Sequence, residues 1–328
     1  MRISIAMTSY NSERFVGEQL ESFANQTRKP DELVICDDQS TDRTSEILHE
    51  FARNSPFPTR VVVNEPQLGI IRNFEQAVRL STGDLIFFSD HDDRWLPDKL
   101  AMHESTHLSA PDVGFVFSNA EVCDEKMAPR GFTHFDVQHL GGKRLAEIPR
   151  GRLFDMCIRS PRLYGCTMSF SASLKEAILP FPTSTSHDMW TCLILAALTP
   201  TRCIEKPLMK YRTHTSQLCG VFFDKPAKSD DPGGVDHFLT EIERNARYFS
   251  DALQRLRLHE HRLYRKDALR ILEQKLAHLN ARRKLRGTLP TRVGAFCREM
   301  LNGRYLRYTS KIDLINDVKR VYRDGRAR

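Results

Sequence analysis

Short apolar runs alternate with amphipathic stretches over the first 120 residues, and this alternation constrains the fold more than any other feature of the chain. Strand-like runs occur at residues 3–7, 33–36, 60–63, 85–88 and 113–117. Between them apolar residues recur at helical spacing, as at Val16, Leu20 and Phe23. Short, continuously apolar strands are typical of parallel sheets that helices cover on both faces. The pattern predicts an α/β, Rossmann-like, mostly parallel doubly wound sheet.

The composition is that of a globular protein with a full core, since 40% of the 328 residues are hydrophobic. The longest apolar run, near residues 193–198, is too short to cross a bilayer. Residues 1–7 read as a strand and lack the longer apolar core of a secretion signal. We therefore expect a cytoplasmic protein. The eight cysteines show neither a Cys-x-x-Cys pair nor zinc-ligand spacing, which predicts reduced, structural thiols.

Charge is distributed unevenly, although the net charge is only +7. Residues 1–240 carry 26 Lys and Arg against 32 Asp and Glu, whereas residues 241–328 carry 23 against 10. The chain thus joins a mildly acidic body to a basic C-terminal region. Such a region suits an anionic membrane surface or nucleic acid, and a solvated Arg-rich helical face is the alternative.

The regular pattern breaks at about residues 121–162, which we interpret as an acceptor-side insertion. Strand patterns return at residues 166–170 and 204–211, and helical patterns at 173–179 and 188–198. Helical patterning then occupies 237–285 and 291–323, with a break at 287–290. These shifts predict a catalytic domain at 1–223 (a nucleotide-binding half at about 1–120 and an acceptor half at about 121–223), a linker or mobile loop at 224–236, and a basic helical region at 237–328.

Polar clusters follow three of the predicted strands at the point where each strand ends. They occupy residues 8–11, 37–40 and 89–93. Ligands of open α/β sheets bind beyond the carboxyl ends of the strands, so these clusters are expected to share one edge. Three clusters from different strands favour a functional site over isolated acidic turns.

The third cluster places Asp90, Asp92 and Asp93 within four positions of the sequence. Carboxylates this close repel one another unless a cation compensates, so we expect a divalent ion and a phosphate-bearing ligand. The chain has neither Gly-x-Gly-x-x-Gly after its first strand nor a P-loop motif. Phosphates are therefore expected to be held by a metal, Mg²⁺ or Mn²⁺, rather than by a glycine loop.

A second acidic signal is Asp188, which opens an apolar helix after His187. Asp188 could be a helix cap or a general base that removes a proton from an acceptor hydroxyl. Trp190 could offer an apolar face to a sugar ring, or it could belong to the core.

The ordered motifs at residues 7–11, 36–42, 89–99, 187–190 and 211–214 resemble those of glycosyltransferase family 2, and more narrowly its rhamnosyltransferase-like bacterial subgroup. The resemblance covers about residues 1–220. It implies a GT-A fold and an inverting transfer from a UDP- or dTDP-linked sugar to a glycan or lipid-linked acceptor in bacterial surface polysaccharide synthesis. A rhamnose donor is a further, narrower expectation from the subgroup.

The resemblance also implies a role for each matching residue. Asp92 would bind the metal with His214 near it, and Asp188 would be the catalytic base. His91 fills a variable position, and Gln39 departs from a more usual Gly. The donor nucleotide would contact Thr8, Tyr10 and Asp38 through its base, and Asp90 through its ribose, with Asp38 reading a pyrimidine imide.

Two other functions compete with this interpretation. A magnesium phosphohydrolase would normally carry its aspartates after the first strand, where this chain has residues 8–11 without one. A nucleic-acid-binding protein would use the basic C-terminal region, but no recognition motif accompanies that charge. For this region we prefer peripheral attachment to the inner face of the cell membrane, because residues 312, 315, 318 and 321/322 form an apolar helical face. Packing of these helices against the catalytic body is the alternative.

Overall fold

The computed structural model describes residues 1–159, 163–217 and 234–322. Cys219 and most of the predicted linker at 224–236 lie outside the described residues. The last three linker positions are described as the beginning of a helix.

One mixed sheet forms the centre of the molecule. Its strands are β1 (Ile3–Ser9), β2 (Glu32–Asp37), β3 (Thr59–Val63), β4 (Leu85–Ser89), β5 (Arg94–Trp95), β6 (Phe115–Cys123), β7 (Pro129–Thr133), β8 (Met168–Ser171) and β9 (Thr201–Arg212). The order across the sheet is β3-β2-β1-β4-β8-β6-β9-β5, and β7 pairs with β6. The α/β sheet predicted from the alternation is confirmed, with the first four strands parallel.

The first four strands are parallel, and the second half of the sheet departs from that pattern. β8 lies between β4 and β6 and is antiparallel to both, while β6 and β9 are parallel. The strand near residues 113–117 was predicted to continue the buried parallel series. That prediction was wrong for the pairing of this strand, β6, with β8, because the two strands are antiparallel. A short strand from the later half of the chain fills the gap, which periodicity within the first 120 residues cannot reveal.

Helices cover both faces of the sheet and continue into the C-terminal region. The described helices of the part predicted to be catalytic, residues 1–223, are α1 (Val16–Ala24), α2 (Thr44–Asn54), α3 (Ile70–Leu80), α4 (Lys99–Ser109), α5 (His134–Val137), α6 (Lys143–Glu147), α7 (Arg152–Arg159), α8 (Lys175–Ile178) and α9 (His187–Leu198). Those of the C-terminal region are α10 (Gly234–Leu258), α11 (Ala268–Arg283), α12 (Leu289–Leu301), α13 (Arg304–Tyr308) and α14 (Lys311–Tyr322). None of the described helices is long and apolar enough to cross a membrane.

Alternating side chains of the central strands supply two cores. Ile3, Ile5 and Met7 of β1 pack with α1 and α2 on one face. Ala6 of the same strand faces α3 and a larger core that extends to α14. This alternation follows from the two-residue period of a strand and explains why β1 is buried along its whole length.

The long helix α10 packs against the catalytic part rather than standing apart from it. Tyr248 donates its hydroxyl to the Met189 carbonyl at 3.1 Å, and Arg255 donates to the Leu179 carbonyl at 2.8 Å. The alternative stated above, in which the basic helices pack against the preceding part of the chain, therefore holds for α10. It does not account for the outer side of α12–α14, which is described below.

Candidate active site

The three predicted polar clusters meet at one edge of the sheet. Met7 of β1 is in register with Ser89 of β4, and Ser9 of β1 is in register with Asp37 of β2. Ser9 donates its hydroxyl to Asp37 Oδ1 at 2.7 Å, which ties the first cluster to the second. Parallel strands with aligned ends thus bring these loops together, as the sequence predicts.

Asp38 is buried and holds the loop that leads into α3. Its Oδ1 accepts from Asn64 Nδ2 at 2.8 Å and from the Leu68 amide at 2.7 Å, while Oδ2 accepts from the Gly69 amide at 2.8 Å. Gly69 has φ +77°, a backbone region that costs a residue with a Cβ about 1–2 kcal/mol. Asp38 therefore has a structural role in addition to the base contact that the family resemblance implies.

The other two residues implied for the base differ in exposure. Thr8 is buried at the end of β1, whereas the Tyr10 side chain is 44% exposed. A side chain that remains exposed at the strand ends is available to contact a ligand from outside. Gln39, at the position where Gly is more usual, has φ +64°. The turn nevertheless keeps its bonds, because Asp37 Oδ2 accepts from the Ser40 amide at 2.9 Å.

Asp92 and His214 come together from distant parts of the chain. His214 Nε2 lies 2.9 Å from Asp92 Oδ2, and the ring of Phe15 lies 4.8 Å from the imidazole between centroids. Burial by itself would raise the pKa of Asp92, but the hydrogen bond with His214 and the charges of His91 and His214 bring that pKa below its ordinary value. Asp92 is therefore held as a carboxylate.

Arg212, two residues before His214, holds the loop that carries Asp92 and Asp93 in place by hydrogen bonds. Its backbone amide donates to Asp93 Oδ1 at 3.0 Å, and its Nε donates to the Asp92 carbonyl at 2.7 Å. Its guanidinium also bonds Glu18 Oε2 at 3.0 Å and lies 4.6 Å from the centre of the Phe15 ring. A guanidinium with a planar array of donors can fix several acceptors at once. Arg212 therefore holds the Asp92 backbone through its side chain and the Asp93 carboxylate through its amide.

Asp90 and Asp93 form a second acidic group that faces Cys166. One ligand atom of each of the three residues lies within 4.8 Å of the others. Burial, followed by the charges of Asp92 and Asp188, raises the pKa of Asp90 to about 7. Burial also raises the pKa of the Cys166 thiol well above its ordinary value. A soft sulfur is in any case a poorer ligand for Mg²⁺ or Mn²⁺ than oxygen.

A buried lysine lies under this acidic group. Lys99 Nζ donates to the Cys166 carbonyl at 2.5 Å and lies 4.3 Å from the centre of the Trp95 ring. Burial lowers its pKa to about 8, while the charges of Asp93 and Asp90 act in the opposite direction. Lys99 therefore supplies a positive charge beside carboxylates that would otherwise repel one another.

Asp188 is placed in the first turn of α9 beside the same group. Its Oδ1 accepts from the Ser186 hydroxyl and from the Met189 amide, the latter at 2.7 Å. Gly165, which precedes Cys166 of that group, lies beside Asp188, because a Cβ at Gly165 would lie 3.4 Å from the Asp188 Cβ. The helix start thus brings Asp188 to the acidic edge. The N-cap of α9 is Ser186, so Asp188 lies in the first turn and is not the cap.

Gly165 allows α9 to approach this edge. A Cβ at Gly165 would lie 2.7 Å from His187 Nε2 and 3.4 Å from the Asp188 Cβ. The His187 ring cannot retreat easily, because it stacks on Phe74 with 3.7 Å between ring centroids. The missing side chain is therefore what lets Asp188 sit next to the loop that carries Asp90.

Trp190 does not offer a sugar-binding face. The side chain is 1% exposed, and its Nε1 donates to the Ile178 carbonyl at 2.8 Å. The stacking interpretation of Trp190 was wrong, and its core alternative is confirmed. Trp190 is in the first turns of α9, where the residues on this side face the larger core rather than the sheet edge.

The Asp92 and His214 pair fits a hard divalent cation. A carboxylate and an imidazole suit Mn²⁺, and carboxylate with water and phosphate oxygens suits Mg²⁺. Asp92 is a carboxylate, and its Oδ2 is within 2.9 Å of the imidazole Nε2, so both donors already face one point. This donor set fits better than the group of Asp90, Asp93 and Cys166, which includes a soft sulfur.

An open cleft of about 590 Å³ lies beside His214. Its walls come from the start of α1, the turn between β6 and β7, and the end of β9, with Arg14, Glu125, Arg130 and Arg212 among the lining residues. The cleft therefore joins the pair to solvent through a wall of mixed charge. A ligand with anionic groups could meet arginines here on its way to the strand ends.

The sequence analysis gave no role to three residues that shape this site. Arg212 and Lys99 lie within quoted motifs, and Gly165 precedes a predicted strand. A lysine at the start of an amphipathic helix is normally exposed. The sequence around Lys99 therefore gives no indication that this side chain is buried. The one available signal was Gly165 immediately before a strand, since glycine there marks a close approach of other groups.

The fold and this edge together define a GT-A type of protein, in which an α/β sheet carries an acidic site at its strand ends. Residues 4–160, just under half of the chain, match the model of "Glycosyl transferase family 2". The match favours the glycosyltransferases over the phosphohydrolases and nucleic-acid-binding proteins considered above. It ends before Asp188 and His214.

Similar proteins of known sequence support the same assignment. The chain is 30% identical over 138 residues to "UDP-Glc:alpha-D-GlcNAc-diphosphoundecaprenol beta-1,3-glucosyltransferase WfgD" of Escherichia coli, covering 40% of this chain and 53% of that protein. Three mycobacterial relatives of uncharacterized function are 35% identical over 94 residues. The chain thus spans about half the length of the curated relatives it matches, or less, from 27 to 53%.

Solved structures resemble the whole fold at low sequence identity. The structure of "S. aureus TarS 1-349 in complex with UDP-GlcNAc" has a TM-score of 0.56 at 16% identity and covers 98% of this chain and 82% of that one. The "Mannosyltransferase PcManGT from Pyrobaculum calidifontis in complex with GDP-Man and Mn2+" has a TM-score of 0.50 at 20% identity, with 98 and 87% covered. At this identity the likeness establishes the fold.

Proposed function

We propose that the protein is an inverting, metal-dependent glycosyltransferase. It moves a sugar from a UDP- or dTDP-linked donor to a hydroxyl of a glycan or lipid-linked acceptor in bacterial surface polysaccharide synthesis. The observation that carries the proposal is the 2.9 Å approach of His214 to Asp92 at the strand ends. A carboxylate and an imidazole facing one point beside a family 2 nucleotide-binding half are suited to a donor diphosphate.

The nucleotide is proposed to lie over the ends of β1 and β2. Tyr10, exposed at the end of β1, contacts the base together with Thr8 and Asp38, and Asp90 meets the ribose. Asp38 Oδ2 accepts one hydrogen bond from the described residues, so it retains capacity to accept the N–H of a pyrimidine imide. This capacity favours uracil or thymine over a base that presents only an acceptor there.

Asp92 and His214 would hold a Mg²⁺ or Mn²⁺ ion. When bound, such an ion supplies charge compensation for the leaving diphosphate. Asp188 takes the proton of the acceptor hydroxyl as that oxygen attacks the anomeric carbon. The carbon–oxygen bond to the acceptor forms as the bond to the diphosphate breaks, so a single displacement inverts the anomeric centre.

The acceptor class is proposed from the relatives and from the basic C-terminal region. The name of WfgD specifies a sugar linked to diphosphoundecaprenol, which is a lipid-linked acceptor. Such acceptors are held at a membrane, and an enzyme that binds the membrane surface meets them at higher local concentration. We therefore propose a cytoplasmic enzyme attached peripherally to the inner face of the membrane.

The test is a donor panel with controlled metal. Purified protein is incubated with UDP-glucose, UDP-GlcNAc, dTDP-rhamnose and GDP-mannose, each with Mn²⁺, with Mg²⁺ or with EDTA, and release of nucleoside diphosphate is measured. We expect release from a pyrimidine donor that EDTA abolishes. dTDP-rhamnose is included for the subgroup resemblance and UDP-glucose for WfgD.

Two results would overturn the proposal. Phosphate release from simple esters with no release from any nucleotide sugar would contradict a glycosyltransferase. With an active donor and acceptor in hand, nuclear magnetic resonance of the product gives its anomeric configuration, and retention of the donor configuration would contradict the single displacement at Asp188.

A further inference from the structure

The last three helices of the chain carry an apolar surface on their outer side. Six large apolar side chains of α12–α14 are each more than half exposed, and we call them the outer apolar face: Leu289, Leu301, Leu306, Ile312, Ile315 and Tyr322. Leu301 is 88% exposed and Ile312 72%. Exposed single residues are ordinary, but a group on consecutive helices marks a surface that meets another apolar phase.

The inner side of the same helices buries two carboxylates beside the apolar side chains that join the larger core, which makes the arrangement unusual. Glu299 of α12 is buried and lies 2.7 Å from His278 Nδ1. Asp317 of α14 is fully buried and accepts from Arg282 Nε at 2.6 Å. A helix that buries its carboxylate and exposes isoleucine reverses the pattern expected of a helix that faces only water.

Side chains of α11 form hydrogen bonds with all three of these helices, α12, α13 and α14. Lys275 of α11 donates to the Tyr308 carbonyl of α13 at 2.6 Å, while His278 and Arg282 of the same helix hold α12 and α14. Since α12, α13 and α14 each turn their inner side toward α11, their outer sides point away from it. The outer apolar face is therefore a shared surface of the three helices and not a set of unrelated exposures.

The charge around this face identifies its occupant. Residues 241–328 carry 23 Lys and Arg against 10 Asp and Glu. Exposed basic side chains on the same helices include Arg298, Arg307, Lys311 and Lys319. Amphipathic helices with apolar and basic side chains bind in the interfacial region of anionic bilayers, where both kinds of contact are favourable. Two copies of such a face would instead bring like charges together.

We infer that the outer apolar face of α12–α14 inserts into the surface of an anionic lipid bilayer. This inference rests on the proposed function only in supplying a reason for the attachment, namely a lipid-linked acceptor. It assigns the membrane contact to three short helices held on α11. The sequence alone indicates only one of their faces, that of residues 312–322. Because α10 packs on the catalytic part, attachment through this region carries the active site to the membrane.

The experiment is co-sedimentation of the full chain with lipid vesicles at low salt. One set of vesicles is phosphatidylcholine alone and the other contains about 30% phosphatidylglycerol, a proportion chosen to resemble a strongly anionic leaflet. The variant is the double substitution Ile312→Glu and Ile315→Glu. The matched control is Leu258→Glu, which changes an apolar side chain of similar exposure at the end of α10, away from the face.

We expect wild type and Leu258→Glu to sediment with the anionic vesicles and not with phosphatidylcholine. The double variant should bind at least about tenfold more weakly, since it places two charges where apolar side chains entered the interface. Circular dichroism checks that it folds. Equal binding of the double variant and wild type, or failure of wild type to bind the anionic vesicles, would overturn the inference.

Two further measurements separate this inference from its alternatives. Light scattering without lipid reports the oligomeric state, and a dimer that the double variant abolishes would assign the face to a second copy and overturn the membrane assignment. Donor turnover with EDTA and metal is measured on the same samples. Loss of lipid binding with turnover intact supports the inference, while vesicle binding without turnover of any donor overturns the proposed function alone.

Discussion

His214 Nε2 lies 2.9 Å from Asp92 Oδ2, although the two residues are 122 positions apart in the chain. This contact joins the loop after β4 to the end of β9, so the proposed metal site depends on the complete sheet. Asp92 alone would be one carboxylate on a turn, and His214 alone would be a histidine after a strand. Their approach gives both a shared chemical role.

Substituting Asp92 with Asn should remove metal-dependent turnover. The amide is nearly isosteric but lacks the charge, so we expect the rate to fall by at least about a hundredfold and Mn²⁺ affinity to fall with it. Calorimetric titration of Mn²⁺ in the presence of nucleoside diphosphate measures the second quantity. Asp112→Asn, which changes an exposed aspartate just before β6 in the same way, is the control, and it should retain both properties. Unchanged Mn²⁺ affinity in Asp92→Asn would remove the metal assignment.

Substituting Asp188 with Asn should separate binding from chemistry. The side chain keeps its shape at the start of α9 but can no longer accept a proton, and we expect transfer to fall by about 10²–10⁴-fold. Donor affinity should stay within a few-fold of wild type, measured by calorimetry. Glu176→Gln, an exposed carboxylate in the first turn of α8, controls for the loss of a helix-start charge. Transfer near the wild-type rate would contradict the base assignment.

Substituting Arg212 with Lys tests whether the guanidinium positions the acidic loop. Lysine preserves the charge but cannot bond the Asp92 carbonyl and Glu18 in one plane, so Mn²⁺ affinity should fall by about 10–100-fold. A purely structural role would lower the melting temperature without changing the Mn²⁺ affinity of the folded protein. Arg94→Lys, an exposed arginine on β5, is the control and should change neither quantity.

Substituting Gly165 with Ala should displace the start of α9. The added methyl would lie 2.7 Å from His187 Nε2, and the stacked ring leaves little room, so we expect a loss of about 1–3 kcal/mol in the free energy of unfolding. Transfer should fall more than donor binding, because Asp188 moves with His187. Gly131→Ala is a poor control because φ is +83° there, whereas Gly17 has an ordinary φ and an open surrounding. Gly17→Ala, in the first turn of α1, should therefore be neutral or stabilising by up to about 1 kcal/mol. Equal losses in the two variants would contradict the argument.

The sequence predicted the first four strands, their parallel direction and the meeting of three polar clusters at one edge, because each of these follows from local periodicity and from the geometry of parallel strands. It also named Asp92, His214 and Asp188, which the structure brings to one edge. It could not predict that β8 separates β4 from β6, since strand order depends on packing between distant segments. The burial of Lys99 and of Trp190 has the same origin, because neither residue differs in its local pattern from one that faces solvent or ligand.

Stability should decline as the pH falls below the ordinary pKa of histidine, and His187 should account for a defined part of the decline. Burial lowers the pKa of His187 from 6.5 to about 4, so the folded state favours the neutral ring. A group whose pKa is lowered on folding stabilises the protein above its unfolded pKa and loses that contribution as the pH falls toward the folded value. Between pH 7.5 and pH 5 the loss from His187 amounts to about 2 kcal/mol.

The measurement is chemical denaturation of wild type and His187→Asn at both pH values. Asn removes the stack on Phe74 at either pH, so the loss of that contact is the same in both measurements. For each protein, the free energy of unfolding at pH 5 is therefore subtracted from its value at pH 7.5, and the two differences are compared. The free energy of unfolding of wild type should fall by about 2 kcal/mol more than that of the variant. His103 and His278, whose pKa values burial also lowers, remain in both proteins and contribute equally to both changes. An identical fall in the two proteins would show that the His187 ring takes up its proton as readily in the folded state as in the unfolded one.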